Sequence, residues 1–321
     1  MPPFDRNVSN RWHDEVPGAR WYRTDLHVHT LDDHAGRIVW PAGLNGDPTD
    51  PCTQTAYARA FLQAAIHQGI EVLGLTPHAV RSGADASTSA TWRIVDEWNS
   101  GADDDGVPFR DKIYAVFPGF EPNLTAGSHG IHLLILFDPE IGREHYVDLC
   151  TAIMKAMPPW VDGQLRLSET TAGDAFKAIH QLRTRLRASW DWLCIAPHAF
   201  SDHGLFTLKA ETLELFPHAG VQGLELKDDW VPADAFADKP FLEQGMKKYK
   251  HALLHGSDAY RVTDIGRRFS LVKLATPRIE SLRQALLAAD SRIRIAFVRD
   301  AQGQFVVIIF SPSLGGTPCI L

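Results

Sequence analysis

The sequence predicts an α/β barrel, and three observations carry that reading. Short, nearly continuous apolar runs alternate with amphipathic stretches, the pattern of a parallel sheet covered by helices on its outside. Eight or so such units recur, which points to a barrel rather than an open sheet. The length of 321 residues suits two average domains or one barrel of ~250 residues with insertions.

Strands are expected at Tyr22–Val28, Glu71–Thr76, Ile113–Phe120, Ile131–Phe137, Leu193–Pro197, Val221–Leu226, Ala252–His255 and Phe269–Leu274. Between them, Tyr57, Phe61, Leu62, Ala65 and Ile66 fall at helical spacing in Thr55–Gln68, with Gly69 as a C-cap. Further helical stripes run through Gly173–Arg187 and Arg278–Ala289. Two segments break the pattern. His34–Gln54 is rich in proline and glycine, and loops of ~20 residues often shape a site. Arg81–Asp111 is polar apart from a short helix bearing Trp92, Val95 and Trp98; either segment reads as a lid or as a surface insertion. The chain thus divides into an N-terminal extension (1–19), the barrel (20–298) and a C-terminal strand and tail (299–321).

Composition narrows the function classes. Hydrophobic residues make up 45% and charged residues 22%, which supports a full core and excludes a disordered chain. No run of ~18 apolar residues occurs, so no transmembrane helix is expected. The opening MPPFDRNVSNRWHDEVPG has neither a basic lead nor an apolar stretch, so no signal peptide is read. Cys52, Cys150, Cys194 and Cys319 form no CxxC pair, which argues against a zinc knuckle or disulfide framework and for a reducing cytoplasm. A net charge of −7 argues against a protein that only coats nucleic acid. An enzyme stays open, because bound cations can supply positive charge locally.

The sharpest motif is Asp25-Leu26-His27-Val28-His29-Thr30. Residues two apart on a strand share a face, so His27 and His29 project together, as a metal requires. Alone, this pair is weak evidence in a chain with 15 histidines. Other strands end in the same way: LGLTPHA with His78, VFPGFEP with Glu121, CIAPHAF with His198 and LLHGSDAY with Asp258, while His132 starts GIHLLIL. Each of these, taken singly, could be a hydrogen-bonded core histidine or a capping acid. Together they place metal-ligand residue types at the strand ends where barrels carry their sites.

The ordered set DLHVH, TPH, PGFE, His132, APH and GSDA resembles the PHP (polymerase and histidinol phosphatase) superfamily over roughly residues 20–298. The resemblance implies a distorted (βα)7 TIM-like barrel that hydrolyses phosphoesters with two to three divalent metal ions. Amidohydrolases share the opening HxH but carry a bridging lysine where this chain has Glu121. Carried over by residue, it implies His27, His29, Glu121 and Asp258 around one metal. Glu121 would bridge to a second, completed by His132 and His198. A third would draw on His34 and His78, but Tyr260 stands where the family has a histidine, and Pro77 where an acid usually precedes His78. Two firmly held ions and a weaker third are expected.

Mixed nitrogen and carboxylate ligands suit Zn2+, Mn2+ or Fe2+ better than Ca2+. Two such ions activate water near neutral pH and polarise a phosphoryl oxygen, so no protein nucleophile is needed. Asp258, Glu121, His198 and Arg261 are the candidate catalytic residues, and Arg81, Lys227, Arg267 and Arg268 the candidate substrate clamps; arginine suits bidentate phosphate contacts. For each cation the alternative is a solvated surface charge. Arg183–Arg187 and Lys247–Lys250 could likewise guide a phosphate backbone or be solvated helix faces. The stretch from Gly256 to Leu287 and the opening GARWYRTDLHVHT are similar to PHP domains that precede an ATPase region in large bacterial proteins. No GxxxxGK[ST] loop occurs in the chain, which reads as a stand-alone relative or an isolated module with an ATPase partner or fused ATPase domain. The expected substrate is a phosphoester, DNA, RNA or nucleotide diester foremost. A small-molecule phosphomonoester is the alternative, and an inactive docking scaffold a third reading.

Overall fold

In a computed structural model, residues 18–33, 38–44, 46–47, 50–78, 89–124, 131–156, 160–161, 164–165, 192–201, 204–205, 221–226, 252–295, 308–309 and 319–320 are described. The first half of the sheet comprises β1 (Arg20–Val28), β2 (Val72–Leu75) and β3 (Ala115–Phe120). A short hairpin, β4 (Asn123–Leu124) and β5 (Ile131–His132), leads into β6 (Leu134–Phe137). After a second hairpin, β7 (Trp160–Val161) with β8 (Gln164–Leu165), come β9 (Trp192–Ala196), β10 (Val221–Glu225) and β11 (Ala252–Leu254). β12 (Ser270–Leu274) and β13 (Ile293–Ile295) complete the sheet, and β14 (Ile308–Ile309) pairs separately with β15 (Cys319–Ile320). The α-helices among the described residues are α1 (Pro51–His67), α2 (Ala90–Ser100), α3 (Phe109–Lys112), α4 (Arg143–Ala156), α5 (Ile279–Leu287) and α6 (Ala289–Arg292).

The spatial order is β11-β10-β9-β6-β3-β2-β1-β12-β13, and the edge strands β11 and β13 lie against each other. The result is a mixed α/β fold with a nearly closed, barrel-like sheet. It departs from a regular (βα)7 repeat in having nine strands in that sheet and few helices among the described residues. β6 runs antiparallel to both β3 and β9, and β12 antiparallel to β1 and β13. The physical reason at β6 is the connection: β3 reaches it through a hairpin, whereas a parallel neighbour needs a crossover, usually helical.

Alternation along the strands separates two apolar layers. Val72, Phe117, Leu134, Leu136, Leu193 and Ile195 pack on one face with Ile279, Leu282 and Leu286 of α5. Leu73, Val116, Ile135, Phe137 and Cys194 face the other way, against α1 and α2. α1 starts four residues before the expected Thr55. Pro51 fits the first helical position, and the Asp50 carboxylate accepts from Thr53 N at 2.7 Å. α1 buries Tyr57, Phe61, Leu62, Ala65 and Ile66, each large side chain contributing ~1.5–3 kcal/mol. The expected Gly173–Arg187 helix lies outside the described residues. Among those described, no helix is long and apolar enough to cross a membrane.

Candidate metal centre

The candidate histidines and carboxylates gather where the parallel strands end. β1, β2 and β3 run parallel, as do β9, β10 and β11, so their C-terminal ends share one edge. His29 follows β1, His78 follows β2, Glu121 follows β3, His198 follows β9 and Asp258 follows β11. His132 precedes β6, and because that strand is reversed, its start comes to the same edge. Backbone hydrogen bonds tie these ends together: His29 N to Ala259 O at 3.0 Å, Thr76 N to Val28 O at 2.8 Å, and Glu121 N to Pro77 O at 2.8 Å.

A register irregularity in β1 aims the first two histidines. The pairing of β1 with β2 shifts between Asp25 and Val28. Leu26 accordingly packs with the layer that includes α5, while Val28 packs with the opposite layer. Such an irregularity reverses which residues face inward and re-aims side chains beside a site. His27 and His29 are both buried, their rings 5.2 Å apart.

Glu121 is the hub and is 1% exposed. Its Oε2 lies 3.3 Å from His27 Nε2, 3.4 Å from His29 Nε2 and 3.5 Å from His78 Nε2. Its Oε1 lies 2.8 Å from His132 Nδ1 and 3.3 Å from His198 Nε2. Asp258 Oδ1 is 3.1 Å from His29 Nε2 and 3.4 Å from His27 Nε2. Three groups therefore present ligand atoms within 4.8 Å of one another: His27, His29 and Asp258; His29, His78 and Glu121; and Glu121, His132 and His198.

Further groups hold the rings by their far nitrogens. Asp33 Oδ2 lies 2.9 Å from His29 Nδ1 and 2.8 Å from His78 Nδ1. Glu225 sits 3.0 Å from His27 Nδ1, and Ser201 Oγ is 2.9 Å from His198 Nδ1. The sequence reading missed all three. The only signal was a lone acid in an apolar strand, Val221–Leu226, and the acidic pair before His34.

Electrostatics match the geometry. Burial opposes ionisation of Glu121, but His132, His27 and His78 hold its carboxyl well below the usual carboxylate range. Burial likewise opposes charge on His27, and Glu225, Glu121 and Asp258 overcome it, raising that imidazole well above its ordinary value. Asp258 is also opposed by burial, yet His27 and His29 bring it down to about 2. His132 goes the other way: burial lowers it despite Glu121. Among the described residues, the basic groups touching Glu121, Glu225 and Asp258 are imidazoles, with no lysine or arginine. Buried carboxylates that favour imidazolium favour a divalent cation at the same place, so the donor set fits metal ions. The backbone adds to this. Among the described non-glycine residues, His198 (φ 30°) and Asp258 (φ 50°) have positive φ, and such strain collects at functional sites.

Of the other anticipated residues, His34, Arg81 and Lys227 lie outside the described ones, as do Arg183–Arg187 and Lys247–Lys250. Arg261 and Arg267 are exposed beyond Asp258. Arg268 turns inward, donating through Nε to Gly256 O at 3.1 Å and through Nη2 to Ser257 O at 2.9 Å. Tyr260 stacks on His29, centroids 3.9 Å apart and planes at 14°.

Fold and site together define a barrel-like α/β protein with a histidine–carboxylate centre of metal-binding type at one sheet edge. No protein-family model matches the chain, and no curated protein matches it. Solved structures do. A two-domain protein of Bacteroides vulgatus, described as containing a predicted PHP-like metal-dependent phosphoesterase, superposes with a TM-score of 0.52 at 14% identity, over 88% of this chain and 67% of that one. PsfC from Pseudomonas syringae gives 0.44 at 15% identity over 79% and 82%. A putative metal-dependent phosphoesterase from Bifidobacterium adolescentis gives 0.38 at 15% identity over 75% and 88%. The chain shares the fold of the first of these.

Proposed function

We propose that this protein is a metal-dependent phosphoesterase and that its substrate is a nucleic-acid or nucleotide phosphodiester. The observation that carries the first part is the division of Glu121, whose two carboxylate oxygens face separate sets of histidines. A carboxylate placed in this way is suited to bridge two cations. His27, His29 and Asp258 would hold one, and His132 and His198 the other, with Glu121 shared. His78, beside Asp33, would serve a third. Ions of the Zn2+, Mn2+ or Fe2+ kind supply an activated water and Lewis acidity toward a phosphoryl oxygen.

The chain's own groups supply the rest. Burial of His27, His29 and Glu121 keeps the donors dry, which strengthens their charge interactions. The side chain of Asp258 is 36% exposed and those of His78, His132 and His198 are 12–13% exposed, so a substrate would approach from their side. The PHP-like neighbour of the same fold supports the same chemistry. Exposed Arg261 and Arg267 just after Asp258 favour an anionic substrate with more than one phosphate. A net charge of −7 favours the second reading, a small phosphomonoester.

The deciding experiment is cleavage of end-labelled single- and double-stranded DNA and RNA with Mn2+, beside a simple phosphomonoester, with Asp258→Asn as control. Metal-dependent cutting that falls by orders of magnitude in the variant is expected. Monoester hydrolysis alone would select the second reading. Near-normal turnover in Asp258→Asn would refute the site, and silence on every substrate would leave the docking scaffold.

A further inference from the structure

We infer that Glu225 is a positioning residue that joins the two candidate ion positions, by fixing the His27 ring and the His198 turn at once. The inference rests on the metal-dependent reading above and assigns a role to a residue outside its ligand set.

Glu225 ends β10 and is 3% exposed. Its Oε1 and Oε2 lie 3.0 and 3.1 Å from His27 Nδ1, so this nitrogen is taken up by the carboxylate. Nε2 of the same ring is left to face Glu121 and Asp258. A carboxylate on the far nitrogen of a ligating histidine fixes both its tautomer and its orientation. The same Oε1 accepts from His198 N at 3.4 Å, and the Glu225 carbonyl accepts from Ala199 N at 2.8 Å. His198 has φ 30°, a backbone region that side-chain-bearing residues leave unless they are held there. Glu225 holds it from both side chain and main chain.

Space for the carboxylate is reserved by Gly256. A Cβ there would lie 2.6 Å from Glu225 Oε2 and 2.7 Å from His27 Cβ. His27 belongs to one ligand group and His198 to another. From outside the proposed ligand set, the Glu225 side chain touches a member of each group. Ser201, by comparison, reaches His198 alone among the ligands. Loss of the Glu225 carboxylate should therefore weaken both ions together, whereas Ser201→Ala should weaken one.

The test is Zn2+ affinity and stoichiometry of the full chain, read by chelator competition, for wild type, Glu225→Gln, Glu225→Ala and Ser201→Ala. A 10–100-fold loss of affinity at both positions is expected for the Glu225 variants, of the size usual for outer partners of metal ligands. The zinc-loaded wild type should show His27 protonated at Nδ1 in long-range 1H–15N spectra, and Glu225→Ala should lose that signature. Unchanged affinity at both positions in Glu225→Ala would overturn the inference, as would a wild-type His27 that binds zinc through Nδ1. The wild-type spectrum decides the matter if the variants fail to fold. A wild type that takes up neither Zn2+ nor Mn2+ would overturn the metal reading itself; uptake with unaltered variants would overturn this inference alone.

Discussion

Asp32→Asn tests how the loop after the first histidine pair is anchored. Asp32 is 1% exposed and lies across from the start of α2, in the loop that also carries Asp33. Its carboxylate accepts from Ser89 Oγ at 2.6 Å, Ala90 N at 2.9 Å and Thr91 N at 2.9 Å. One buried anion thus satisfies two of the backbone donors that a helix start leaves open, and complements the positive end of the helix dipole. Asparagine keeps the shape and one acceptor oxygen. It loses the charge, worth ~0.3–2 kcal/mol at a helix terminus. Its amide nitrogen replaces the oxygen that receives Ser89 and Thr91, leaving at least one buried donor unmatched at a cost of ~1–3 kcal/mol. The sum is roughly 1–5 kcal/mol, or about 2–7 °C in melting temperature for a chain of 321 residues. Urea unfolding of chelator-treated protein reads this as a lower midpoint at unchanged slope. A loss below ~1 kcal/mol would refute the reasoning, since it would mean the three contacts contribute less than one ordinary buried hydrogen bond.

Two further outcomes follow from packing and from titration. Gly256→Ala should push Glu225 and His27 apart, lowering stability by ~1–3 kcal/mol and reducing Zn2+ affinity as well; wild-type melting and zinc binding would show that the close approach is slack. His255 is buried, and burial followed by the Arg268 charge lowers its pKa to about 3. The folded state keeps this ring neutral where the unfolded chain, titrating near 6.5, takes up a proton. Its contribution is complete above pH 6.5 and is lost as pH falls toward 3, amounting to about 3 kcal/mol by pH 4.5. Buried Asp25, raised to about 6 chiefly by burial, works in the opposite direction, so the measurement is the difference between wild type and His255→Gln across pH 7 to 4.5. Parallel stability curves would refute the assignment.

Much of the barrel-like sheet and of the candidate metal centre is legible along the chain, because both rest on local pattern. Apolar runs such as Val72–Leu75 and Leu134–Phe137 read as strands since each is buried on both faces. His27, His29, His78, Glu121, His198 and Asp258 could be grouped in advance because strand ends of a parallel sheet share an edge, and a residue just past an apolar run sits there. His132 reaches the same edge for a reason the pattern does not contain: its strand runs backward, and strand direction depends on which neighbour it pairs with. The inward aim of His27 and His29 depends on a register irregularity that only pairing with β2 creates.

The outer partners were decided by tertiary structure alone. Asp33 and Glu225 carry no motif, and each acquires its role from rings supplied by distant segments: Glu225 meets a histidine 198 positions away. Arg268 shows the same limit from the other side, since its position after the GSDAY motif reads as a phosphate clamp while its guanidinium is engaged by the Gly256 and Ser257 carbonyls. Sequence determined which residue types stand at the strand ends, because hydrophobic periodicity and chain order are local properties. Tertiary structure decided which nitrogen of each ring faces the centre, because that depends on where a second, non-local carboxylate can reach.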